Sequence, residues 1–115
     1  MGGRRMRGLW FLSLASALAA TAAGPARAAP PFNCSIAQEQ AEIAVCDSAD
    51  LGLLDREMNR LYFDKRDGLK VAGKLPEADA LRLEQRAFLK TRNDCGYDTA
   101  CITALYKSRL KALGQ

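Results

Sequence analysis

Four cysteines carry the chemistry that is easiest to interpret in this sequence. They are separated by 11, 48 and 5 residues: Cys34, Cys46, Cys95 and Cys101. This spacing contains no Cys-x-x-Cys redox pair, and it lacks the two close pairs that a four-cysteine zinc site uses. An even number of cysteines in a small domain instead predicts two disulfides, for which three pairings are possible.

The favoured disulfides join the cysteines that are nearest in sequence. Cys95 and Cys101 flank a turn-like stretch with a glycine and capping residues, so this loop closes easily. Cys34 and Cys46 would lie roughly 18 Å apart if all residues between them were helical, whereas a disulfide needs Cα atoms about 4.4–6.8 Å apart. Their pairing therefore requires residues 35–38 to fold back along a shorter helix at about 40–45. A mixed pairing is the alternative, and it would place that first helix differently.

Histidine is absent from the 115 residues, and this excludes several kinds of active site. Ser-His and Cys-His nucleophile pairs and His-ligated metals all need the imidazole that the chain lacks. We therefore expect a protein that is not an enzyme and that holds no metal or cofactor.

Four polar side chains fall on helix faces that are otherwise apolar. They are Asp55, Gln85, Arg92 and Arg109. Because a buried charge is tolerated only when it is paired, they predict an ion pair or a small polar network that fixes the register of the helices. The alternative is a polar pocket that binds a partner. Asp55 is a single inward carboxylate, and it lacks the second acid that glycosidase chemistry requires.

Helices are the elements that position these residues. After the short first helix, apolar residues recur three and four positions apart over about residues 50–71, 77–93 and 99–113. Asp47 or Ser48 can cap the first of these segments, and Gly73 and Pro76 mark its end. No stretch alternates as a strand would. The prediction is an all-α, disulfide-stapled helical bundle with one short and three longer helices.

Residues 1–28 have the features of a cleavable signal peptide. Three arginines precede an uncharged run over 8–26, in which the strongly apolar part is short and a Gly-Pro pair follows it. A transmembrane anchor needs about 20 strongly apolar residues, and twin-arginine export would depend on Arg4 and Arg5 alone, so both are weaker interpretations. We expect a mature chain that begins near Ala29, has no membrane anchor, and is periplasmic or secreted.

Charge is distributed unevenly along the chain. The 17 basic and 13 acidic residues give a net charge of +4, but residues 1–28 hold four arginines and no acid, so residues 29–115 are balanced. The basic total therefore gives no reason to expect nucleic-acid binding. Residues 32–57 carry a net charge of −5, and the remainder of the mature chain carries +5.

The acidic half predicts a surface that attracts a basic partner. The candidate acidic face consists of Glu39, Glu42, Asp47 and Asp50. The plainer alternative is that Asp47 and Asp50 favour a helix N-terminus while the others are solvated.

A series of short segments shares its order and spacing with a known family. The segments are Phe32-Asn33-Cys34, Glu42, Val45-Cys46, Leu51, Leu54-Asp55, Tyr62, Gln85-Arg86-Ala87-Phe88-Leu89, Arg92-Asn93-x-Cys95, Cys101, Tyr106, Arg109 and Leu113. In these segments the chain resembles the LprI-like lysozyme-inhibitor domain, a group of small exported bacterial domains. The resemblance implies a helical, disulfide-stabilised domain over residues 32–113.

Three departures from the family pattern are visible. Phe88 stands where tryptophan is usual, and we expect it to fill the core in the same way. Glu39-Gln40 stands where Thr-Pro often opens the first helix. The lipid-attachment cysteine of the member that gave the family its name is absent.

Two hypotheses of different classes follow for the function. The resemblance implies an inhibitor that binds lysozyme or a related wall-cleaving enzyme, and the charge distribution suggests the acidic N-terminal half as the contact. The alternative is a non-inhibitory periplasmic interaction module that binds another envelope protein or ligand.

Overall fold

Helices make up most of the chain that the computed structural model describes, namely residues 32–115 and the isolated Gly3. A 3₁₀ helix at Cys34–Ile36 precedes four α-helices: α1 (Gln40–Asp47), α2 (Ala49–Val71), α3 (Leu75–Asp94) and α4 (Thr99–Ala112). No strand occurs within residues 32–115. The predicted all-α bundle of one short and three longer helices is confirmed. The predicted signal peptide, at residues 1–28, lies outside the described residues.

The helix ends follow from local side-chain chemistry. Ser48 begins α2 by accepting a hydrogen bond from the backbone N–H of Leu51 over 3.2 Å. Gly73, with a φ of +72°, forms the turn after α2. The sequence predicts that Pro76 precedes α3 and that the helix starts at about residue 77. This start is two residues too late. α3 begins at Leu75 with Pro76 in its first turn, where proline lacks no hydrogen bond that a helix would use.

The hydrophobic core surrounds α2, which packs against each of the other three helices. Its buried apolar residues come from all four helices: Ala41, Ala44, Val45, Leu51, Met58, Tyr62, Leu81, Ile102, Tyr106, Leu110 and Leu113. Phe88 is half-buried against this core, and its ring centre lies 5.6 Å from that of Tyr106. The phenylalanine therefore packs on the core, as expected.

Both predicted local disulfides are confirmed. Cys34 pairs with Cys46 and Cys95 with Cys101, and in each pair the Cα atoms are 5.8 Å apart. The 3₁₀ helix carries Cys34 back beside the end of α1, which is the non-helical return that the pairing required. Cys95 ends α3 and Cys101 lies in the first turn of α4, so the second disulfide closes the turn between these helices.

Candidate functional site

A buried chain of hydrogen bonds links three helices of the bundle. Tyr106 on α4 donates its hydroxyl hydrogen to Oδ1 of Asp55 on α2 over 2.6 Å. Nη1 of Arg92 on α3 donates to the Tyr106 hydroxyl over 3.1 Å and lies 3.6 Å from the same Asp55 oxygen. All three residues are at most 2% exposed, so these contacts take the place of water around both charges.

Arg92 extends this network to α1 and to the start of the domain. Its Nε and Nη2 donate to Asn93 Oδ1 over 3.2 and 2.9 Å, and Nη2 lies 3.4 Å from Oε1 of Glu42. The guanidinium carbon is 5.7 Å from the centre of the Phe32 ring, within cation–π range. Arg92 on α3 therefore contacts α1, α2, α4 and the start of the domain at Phe32.

A cleft of about 230 Å³ opens from this network to the surface. It is lined by Phe32, Glu42, Asp55, Asn59, Leu89 and Arg92. Asn59 lies one turn after Asp55 on α2 and donates Nδ2 to the Asp55 carbonyl oxygen over 2.8 Å. The same Nδ2 lies 3.3 Å from Asp55 Oδ2, so both carboxylate oxygens have a partner.

Burial controls the protonation of this network. Loss of water on burial raises the pKa of Asp55 above its ordinary value of 3.8. The hydrogen bond from Tyr106 and the positive charge of Arg92 lower this pKa, and the negative charge of Glu42 raises it, but burial is the largest effect. Burial, followed by the charge of Asp55, also raises the pKa of the Tyr106 hydroxyl. The tyrosine therefore remains a hydrogen-bond donor throughout the neutral pH range.

Gln85 and Arg109 form a second polar cluster. Arg109 donates Nε to Gln85 Oε1 over 3.0 Å, and Gln85 Nε2 is 2.8 Å from the sulfur of Met58. Arg109 Nη1 lies 3.7 Å from Oε2 of the exposed Glu84. The buried Nη2 of Arg109 has no hydrogen-bond partner among the described residues. The four polar residues singled out in the sequence thus lie in two clusters, with Asp55 and Arg92 in one and Gln85 and Arg109 in the other.

The structure separates the residues of the candidate acidic face. Glu39, Asp47 and Asp50 are exposed, whereas Glu42 is half-buried and in contact with Arg92. Asp50 lines a different depression, between α2 and α4, together with Leu53, Leu54, Thr103 and Lys107. The charge available at the surface is therefore smaller than the sequence total of −5 indicates.

Three features of the network were not predicted from the sequence. The Tyr106 hydroxyl is its central hydrogen-bonding group, but tyrosine on an apolar stripe gives no signal beyond core packing. Asn59 could have been found, because it lies four positions after Asp55 on the same helix. Glu42 was assigned to the surface, and only the packing of α1 on α3 places it beside Arg92.

The arrangement links the helices of the bundle through buried polar contacts. It holds one buried carboxylate with its hydrogen-bond partners, and no group of three potential metal-ligating side chains occurs in the part of the chain that the structure describes. None of the helices described there is long and apolar enough to cross a membrane.

The family relationship is decided by the extent of one match. The model of a family described as lysozyme inhibitor LprI matches residues 33–113, which include all four cysteines, α1 to α4 and both polar clusters. The chain belongs to the LprI lysozyme inhibitor family. No curated protein and no solved structure shows significant similarity to it. In this LprI domain the matched region ends at Leu113, the last buried residue of the core.

Proposed function

We propose that this LprI-family protein is exported and inhibits lysozyme, or a related wall-cleaving enzyme, by binding to it. The observation that carries the proposal is the match to the lysozyme inhibitor family over the whole helical domain. The described residues offer one buried carboxylate and no nucleophile paired with a base, so inhibition takes the form of a complex and not of a reaction.

Export is supported by the sequence of residues 1–28 and by the disulfides of the domain that follows them. Residues 1–28 have the pattern of a signal peptide. The domain that follows is small and has two disulfides, which persist in oxidising compartments and are rare in the cytosol.

We infer that Glu39, Asp47 and Asp50 contact the enzyme. All three are exposed and surround α1 and the start of α2, and a basic enzyme would be attracted to them. Glu42 has a different part in this proposal, because its contact with Arg92 holds α1 against α3. Together with Asp55 and Tyr106, it fixes the helix packing that carries the acidic face.

Charge reversal with a matched control tests the proposed contact. Asp47→Lys with Asp50→Lys should raise the inhibition constant at least tenfold, whereas Glu77→Lys with Asp94→Lys changes the same net charge on another helix and should have little effect. Circular dichroism must show that both variants are folded. Equal inhibition constants for the two variants would show that the acidic face is not the contact.

A further inference from the structure

The far end of the α2–α3 hairpin has only exposed and partly buried residues. α2 has 23 residues and α4 has 14, so at 1.5 Å per residue α2 is longer by roughly 13 Å. The last buried residue of α2 is Tyr62, and no residue from 63 to 77 is buried. We call residues 63–77 the distal hairpin.

The tip of the distal hairpin combines exposed apolar and basic side chains. Val71 is 91% exposed and Leu75 is 59% exposed. Residues 68–76 include Lys70 and Lys74 and no acidic residue. Neither lysine takes part in an ion pair among residues 32–115. The turn at Gly73 is closed by a 2.8 Å hydrogen bond from the backbone N–H of Lys74 to the carbonyl oxygen of Leu69, which fixes the backbone at the end of the hairpin.

We propose that the tip of the distal hairpin docks on an anionic lipid surface. Apolar side chains next to lysines enter the headgroup region of a membrane, where burial of apolar area and attraction to anionic lipids act together. An anionic wall polysaccharide would attract the lysines but would gain little from Val71 and Leu75, because its surface is hydrated. Only the tip enters the headgroup region, so the attachment is peripheral and reversible.

This docking orients the domain relative to its acidic face. Asp50 and Val71 are 21 residues apart on the same helix, which places them roughly 32 Å apart along its axis. A domain held by its basic tip therefore presents its acidic end away from the lipid, where a basic enzyme would meet it. The lipid contact is independent of the proposed inhibition, and its test needs no lysozyme.

Tryptophan reporters test the contact directly. Trp10 is the single tryptophan of the chain, so Val71→Trp and Leu83→Trp, each in a Trp10→Phe background, carry one fluorophore at the tip or in the middle of α3. Leu83 is 57% exposed, so a tryptophan there also starts in contact with water but lies away from the tip. With phosphatidylglycerol vesicles, Val71→Trp should shift to the blue and Leu83→Trp should not. With phosphatidylcholine vesicles neither should shift.

Charge variants test the role of the lysines. In the Val71→Trp background, Lys70→Glu with Lys74→Glu should lower partitioning into phosphatidylglycerol vesicles at least tenfold, whereas Lys90→Glu with Lys111→Glu should change it less than threefold. The proposal is overturned if the Val71→Trp emission does not respond to anionic vesicles, if both reporters respond equally, or if the two double variants bind alike. The exported proteins are used, and any chain that keeps residues 1–28 is removed first, because its uncharged run over 8–26 would itself partition into the vesicles.

Discussion

Tyr106 and Asp55 are 51 residues apart in sequence and share a 2.6 Å hydrogen bond in the centre of the domain. The bond joins α4 to α2, and Arg92 of α3 donates to the same tyrosine hydroxyl. A neutral donor and a guanidinium thus stabilise one buried carboxylate, and three helices are held in a single register.

Removal of the Tyr106 hydroxyl should destabilise the domain. Tyr106→Phe keeps the ring in the core but leaves Asp55 Oδ1 and Arg92 Nη1 without their hydrogen-bond partner, which should cost about 1–3 kcal/mol in the free energy of unfolding. Urea denaturation measures this loss. Tyr62→Phe is the control, because the Tyr62 ring is also buried but its hydroxyl has no hydrogen bond among the described residues. Equal losses in the two variants would contradict the role given to the Tyr106 hydroxyl.

The raised pKa of Asp55 predicts a pH dependence of stability. A carboxyl whose pKa is higher in the folded than in the unfolded state stabilises the fold fully below the unfolded value of about 3.8, and this contribution is lost as the pH rises through the folded value. The stability of the native protein relative to Asp55→Asn should therefore fall as the pH increases above 3.8. Denaturation of both proteins across pH 3 to 8 measures the difference.

Glu57 provides a control of opposite sign. The hydrogen bond from Arg60 lowers the pKa of Glu57 below its ordinary value of 4.5, so its contribution is present above that pH and is lost as the pH falls. Stability relative to Glu57→Gln should therefore rise with pH, and only slightly, since the pair is exposed. A stability difference that rises with pH for Asp55→Asn as well would show that burial does not dominate at Asp55.

Each disulfide should contribute measurably to stability. Loop closure predicts a loss of about 2–3 kcal/mol for either pair, with the larger loss for Cys34→Ser with Cys46→Ser, whose loop is longer. Urea denaturation of this double variant and of Cys95→Ser with Cys101→Ser measures the two losses. Peptide mapping without reduction should recover the remaining disulfide in each. A larger loss from the shorter loop would contradict the loop-closure explanation.

The fold could be predicted because its determinants are local. The helices are specified by apolar residues at helical spacing and by the cap at Ser48. The disulfides are specified by the closeness of the paired cysteines in sequence, and neither inference needs the tertiary structure. Pro76 was misplaced because proline is equally compatible with a turn and with the first turn of a helix, and a single sequence does not distinguish the two.

The polar clusters could be predicted only in part, because periodicity identifies a face and not the partner across it. Asp55 and Arg92 were both recognisable as inward residues, but their link through Tyr106 depends on how α4 packs. Glu42 shows the same limit from the other side. The charge of Glu42 suggested a position at the surface, but the packing of α1 on α3 brings its carboxylate within 3.4 Å of Arg92.

Wall-lysis inhibition tests the central claim most directly. The oxidised protein, purified after export and shown to be helical by circular dichroism, should be assayed against a small panel of lysozymes at two salt concentrations. We predict inhibition of at least one enzyme, weaker at the higher salt because exposed charges are screened. Folded, correctly paired protein that inhibits none of them would contradict the proposed function and would favour an interaction module for another envelope partner.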